Sequence, residues 1–105
     1  MPYREAPWQP AVDVYRLNSG WLVKFDLAGV PADELDLEVT GNQLRVRGVR
    51  RDHLVEEVCQ IYSMEISYSR FERTIELPES LSEARMSWEY HDGMLIVRLE
   101  KETAP

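Results

Sequence analysis

In Trp21-Leu22-Val23-Lys24-Phe25-Asp26-Leu27, residues 21–27, every second side chain is large and apolar. Trp21, Val23, Phe25 and Leu27 take one face, while Lys24 and Asp26 share the other with Leu22. A period of two places alternate side chains on opposite faces of an extended chain, so this stretch predicts a half-buried strand. The pattern recurs on both sides of it. Leu35, Leu37 and Val39 oppose Asp36, Glu38 and Thr40, and Leu44 and Val46 alternate with Arg45 and Arg47. Phe71, Ile75 and Leu77 share a face with Arg73 against Glu72, Thr74 and Glu76. Met86, Trp88 and Tyr90 oppose Arg85, Ser87 and Glu89, and Leu95, Val97 and Leu99 form a last inward row. Between these runs lie turn signals at Asn18-Ser19-Gly20, Gly41-Asn42 and His91-Asp92-Gly93, with breaks at Gly29-Val30-Pro31 and Pro78. Many short alternating strands of this kind predict an all-β, two-layer sandwich.

One segment departs from the period. Between Arg50 and Ser63, Leu54, Val55, Val58, Ile61 and Tyr62 fall at helical spacing, with Glu56, Glu57 and Gln60 opposite. Taken alone they suggest an amphipathic helix of about two to three turns, a length that is marginal without tertiary support. The competing reading is a long connection carrying a short strand that packs elsewhere. Connections this long inside a small sandwich are commonly functional.

Composition narrows the function classes. The chain has 105 residues, enough for one domain and one modest core. Its formal net charge of −7 opposes phosphate backbones, so nucleic acid is not expected as a partner. The basic cluster Arg45, Arg47, Arg50 and Arg51 is expected to be a solvated strand face. No apolar run is long enough to span a membrane, and the first ten residues lack a signal-peptide core, so a cytoplasmic location is expected. A single cysteine, Cys59, allows no internal disulfide.

Chemistry is not evident. Neither G-x-G-x-x-G nor a P-loop occurs, so no nucleotide is expected. His53, His91 and Cys59 are too few and too scattered for a metal site. Glu56 and Glu57 would raise the thiol pKa of Cys59 rather than activate it. The expectation is a non-enzyme without cofactors. What remains is the pair of apolar rows Leu35, Leu37, Val39 and Met86, Trp88, Tyr90. If their strands are the edges of opposite sheets, the rows meet at an open seam that suits an extended peptide. If both strands are covered, the rows are ordinary core.

The sequence resembles the small heat-shock proteins, specifically their α-crystallin domain. The resemblance rests on Trp8 to Tyr15 (WQPAVDVY), Phe25 to Val30 (FDLAGV), Asn42 to Gly48 (NQLRVRG), Tyr68 to Pro78 (YSRFERTIELP) and Tyr90 to Leu99 (YHDGMLIVRL). It implies an immunoglobulin-like sandwich over residues 11–100, between a short segment 1–10 and a tail 101–105. It also implies that Leu35–Val39 and Met86–Tyr90 are the two edges flanking the peptide groove. The implied function is ATP-independent holding of unfolding polypeptides. Arg73 matches an arginine near the family's dimer interface. Bacterial members dimerise by exchanging a strand carried in a long loop, which would pair Val55, Val58 and Ile61 with Val12, Asp13 and Val14 of a second copy. The short segment before Trp8 and the ending Lys101-Glu102-Thr103-Ala104-Pro105, which lacks an I-x-I/V extension, depart from the family. They leave open an excised domain or a short member, and favour a homodimer over a large oligomer. A reading from a different class is an adaptor of the co-chaperone type that docks one specific folded protein.

Overall fold

The computed structural model describes residues 8–52 and 60–101. Among the described residues seven strands follow one another: β1 Val12–Leu17, β2 Gly20–Asp26, β3 Asp36–Thr40, β4 Gln43–Val49, β5 Arg70–Glu76, β6 Ala84–His91 and β7 Met94–Lys101. A 3-10 turn, Ala32–Glu34, lies between β2 and β3. The strands form two antiparallel sheets, ordered β1-β2-β7-β6 and β3-β4-β5. The alternation predicted from the sequence is the alternation observed. Val23, Phe25, Leu44, Val46, Leu95 and Val97 are fully buried between the sheets, while their neighbours point to solvent.

Two details differ from the expected boundaries. Leu35 precedes β3, closing the 3-10 turn through its N–H to the Ala32 carbonyl. Leu27 follows β2, and its N–H bonds the Gly93 carbonyl of the β6–β7 turn at 2.7 Å. Both remain at least partly buried because their side chains continue the inward row after the ladder has ended.

The outer face of the three-stranded sheet is a cross-strand charge array. Arg47 bonds Asp36 at 2.7 Å, and Arg45 pairs with Glu38 and reaches Glu72 at 3.6 Å. Opposite charges facing one another across strands make a wet sheet face that does not attract apolar surface. The bonds from Arg45 and then Thr40 hold the Glu38 carboxyl below its ordinary pKa. The solvated-face expectation therefore suits Arg45 and Arg47. It does not suit Arg50, which is partly buried and stacked on Trp8; Arg51 is exposed as expected but lies past the end of β4, paired with Glu34.

The helix expected within 50–63 lies mostly outside the described residues. The described flanks, Arg50–Asp52 and Gln60–Tyr62, are not helical.

Candidate functional site

Apart from Leu35, which immediately precedes β3, the two apolar rows singled out above belong to edge strands. β3 borders the three-stranded sheet and β6 borders the four-stranded one. Backbone and side-chain bonds place these edges on the same side of the sandwich. At one end the Leu81 N–H, just before β6, bonds the Gly41 carbonyl of the β3–β4 turn at 2.8 Å. At the other end Tyr90 of β6 reaches the segment leading into β3. Between these two ties the sheets face each other without a third element among the described residues.

Register fixes which side chains line this seam. Met86, Trp88 and Tyr90 lie opposite Leu99, Val97 and Leu95 of β7, and share their inward face. Leu37 and Val39 lie opposite Val46 and Leu44 of β4 in the same way. Yet the rows are not buried like their partners: Met86 is 39% and Trp88 44% exposed, against 1% for Leu99 and 0% for Val97. Inward-pointing but half-wet side chains are the signature of an apolar cleft that nothing among the described residues covers. Leu35, Leu37 and Val39 form its other wall, partly buried against the core.

Tyr90 has a different role from Met86 and Trp88. Its hydroxyl lies 2.7 Å from the Leu27 carbonyl and 2.6 Å from the Val30 carbonyl, and its one proton is shared between them. It ties β6 to the turn that delivers β3, closing one end of the cleft. Partial burial holds the phenol above its ordinary pKa of about 10, and the charge of Asp26 adds to that rise. A phenolate cannot donate, so this tie contributes fully below the unfolded-state pKa and is lost as pH rises through the folded one. Tyr90→Phe is expected to lower stability by about 1 kcal/mol at neutral pH. It should also flatten the fall in stability above about pH 10. Urea titrations at neutral and alkaline pH would check both.

The residues expected at a dimer contact are distributed as follows. Val12, Asp13 and Val14 lie on β1, which pairs with β2 on one edge and, among the described residues, with nothing on the other. Arg73 is on the inner face of β5, and its Nη1 donates to the Pro10 carbonyl at 2.6 Å within the same protomer. Val55 and Val58, with His53 and Cys59, lie outside the described residues. Ile61 is described, exposed and not in a strand. The segment after it carries a signal that the helical reading hid. Tyr62, Met64 and Ile66 alternate with Ser63, Glu65 and Ser67, and Tyr62 and Ile66 are 95% and 60% exposed. This is strand patterning in a stretch that, among the described residues, pairs with no strand.

A two-sheet sandwich with edge strands flanking an uncovered apolar cleft defines the class of the fold. Comparison with known proteins gives the family. Residues 13–105 match the Hsp20/alpha crystallin family, and the chain belongs to it. The chain is similar to 18 kDa antigen 2 of Mycobacterium avium, at 38% identity over 83% of this chain and 64% of that one. It is also similar to small heat shock protein C4 of Rickettsia felis, at 25% identity over 95% of this chain and 61% of the relative. Among solved structures, hspA from Xanthomonas axonopodis superposes with a TM-score of 0.77 at 24% identity, covering 95% of this chain and all of that one. The chain thus spans roughly three fifths of these curated relatives' length.

Proposed function

We propose that this chain is an ATP-independent chaperone that holds unfolding polypeptides in the β3–β6 cleft and limits their aggregation. The observation that carries this is the half-exposure of Met86 and Trp88 on an inward face, beside two free sheet edges. An extended client can add main-chain bonds to either edge and set alternate side chains into the cleft. The family relationship supports the same reading. Two aliphatic anchors gain roughly 1.5–3 kcal/mol each on full burial. After ordering and association costs, one cleft binds on the order of tens of micromolar or more weakly. Weak contact suits clients of unrelated sequence, and avidity in an assembly strengthens it.

Self-association is part of the proposal. The unpaired edge of β1 and the alternating segment Tyr62–Ile66 are complementary, so a homodimer would form if that segment paired with β1 of a second copy. Residues Val12, Asp13 and Val14 would then lie at the contact. The expected result is that the protein suppresses light scattering by two unrelated heat-labile proteins, without nucleotide and at near-stoichiometric amounts. Protection of one client alone, with saturable one-to-one binding to its folded form, would instead indicate an adaptor and overturn the holdase reading.

A further inference from the structure

The side of the sandwich away from the β3–β6 cleft is closed by a short non-strand segment, residues 8–11, running from Trp8 into β1. Its backbone is tied by the Arg73–Pro10 bond and by the Asp26 N–H, which donates to the Ala11 carbonyl at 3.0 Å. Ahead of these ties Trp8 places its ring on a surface made entirely by other elements. The ring meets Phe71 edge-on, with centroids 5.1 Å apart and planes at 73°. The Arg50 guanidinium covers the same ring at 3.6 Å from its centroid, and lies 5.8 Å from that of Tyr68.

Arg50 is held in this surface by bonds that do not involve Trp8. Arg50 Nε donates to the Ser67 carbonyl at 2.8 Å, and its Nη1 to the Ala28 carbonyl at 3.0 Å. With Trp8 in place Phe71 is 3% exposed, and room for its ring comes from Gly48 across the ladder, where a Cβ would stand 2.9 Å from Phe71 Cε1. If Trp8 leaves, no buried polar group loses its only partner, since Arg50 keeps both backbone acceptors. The chemistry selects the occupant. An edge-on ring contact and a guanidinium over a π face both need an aromatic ring, and an aliphatic side chain satisfies neither.

We propose that Phe71, Arg50 and Tyr68 form a second client seat, selective for aromatic side chains, of which Trp8 is the resident and displaceable occupant. The seat does not depend on the β3–β6 cleft and differs from it in chemistry, being aromatic and cationic rather than aliphatic. A client aromatic must compete with Trp8, so its apparent affinity is reduced by the fraction of time the seat stands empty.

The test is a 1H–15N NMR titration of the whole chain and of Trp8→Ala, using the unstructured peptide Gly-Ser-Trp-Ser-Gly and its Leu twin. The readouts are Arg50 Nε–H and the Phe71 amide. Trp8→Ala is expected to bind the Trp peptide saturably, about tenfold or more tightly than the unaltered chain does. The Leu twin should move neither signal. Equal responses to both peptides, or a folded Trp8→Ala chain whose Arg50 signal stays still, would overturn the proposal. Shifts confined to Met86 and Trp88 would do the same, by placing the peptide in the cleft. Should Trp8→Ala fail to fold, Trp8→Phe replaces it: the smaller ring holds the seat less well, so the Trp peptide should displace it with intermediate affinity. No displacement would count against the seat.

Discussion

Replacing Met86 and Trp88 together by threonine is expected to abolish measurable binding of short apolar peptides while leaving the sandwich folded. Both side chains point inward from an edge strand, yet each keeps more than a third of its surface in water. Their removal therefore costs the core little, of the order of 1–2 kcal/mol, and threonine keeps the strand's backbone preference. Binding loses much more, because these residues make one whole wall of the cleft. With each anchor worth roughly 1.5–3 kcal/mol on burial, losing two lowers affinity by about a hundredfold or more. From a starting point of tens of micromolar, that is beyond detection. Titration calorimetry or NMR with a peptide carrying two branched residues at alternate positions reads the loss. Far-UV circular dichroism and a thermal midpoint within a few degrees of the unaltered chain would show that the fold survives. Retained binding with a folded variant would mean that peptides dock elsewhere.

The largest effect on stability is expected at Gly20. It opens β2 opposite Glu100 of β7, and a Cβ there would lie 1.9 Å from the Leu99 carbonyl oxygen and 2.9 Å from Glu100 Cα. Both obstacles are backbone in a ladder, so neither can swing aside. Gly20→Ala must splay the end of the β2–β7 pairing or shift its register, at an expected cost of about 3 kcal/mol or more. Urea denaturation measures this directly. Gly41, where nothing lies within 4 Å of a built Cβ, is the matched comparison. The clash is absent there and only the strain of its φ of 62° applies, so Gly41→Ala should cost about 1 kcal/mol.

Much of this fold could be read from single residues. Trp21, Val23 and Phe25 set a period that only a strand satisfies, and the same test applied at Leu44, Ile75 and Leu95 gives the inner rows of β4, β5 and β7, whereas β1 was not among the runs so read. Turn chemistry at Gly41-Asn42 and Asp92-Gly93 set the hairpins. The cleft was legible only conditionally, because alternation says which face a side chain takes and nothing about whether its strand has a neighbour. The edge positions of β3 and β6 are a property of long-range pairing. The part that misled is instructive: Val58, Ile61 and Tyr62 match a helical spacing, and that match obscured the period-two run Tyr62, Met64, Ile66 directly behind it. Arg50 was unreadable for a different reason. Its neighbours Arg45 and Arg47 do face water, and nothing local signals that a tryptophan 42 positions earlier lies against its guanidinium.

The order of the four-stranded sheet has a consequence for how the molecule is made. Its last strand, β7, is an interior one, hydrogen-bonded to β2 on one side and β6 on the other. A growing chain emerging from the ribosome can close the β1–β2 and β3–β4 hairpins early, but it has no template joining β2 to β6 until residues 94–101 are free. Closure of the four-stranded sheet therefore waits for β7, however early the hairpins form. Until then Val23 and Phe25 of the growing chain lack the β7 partners beside which they are buried.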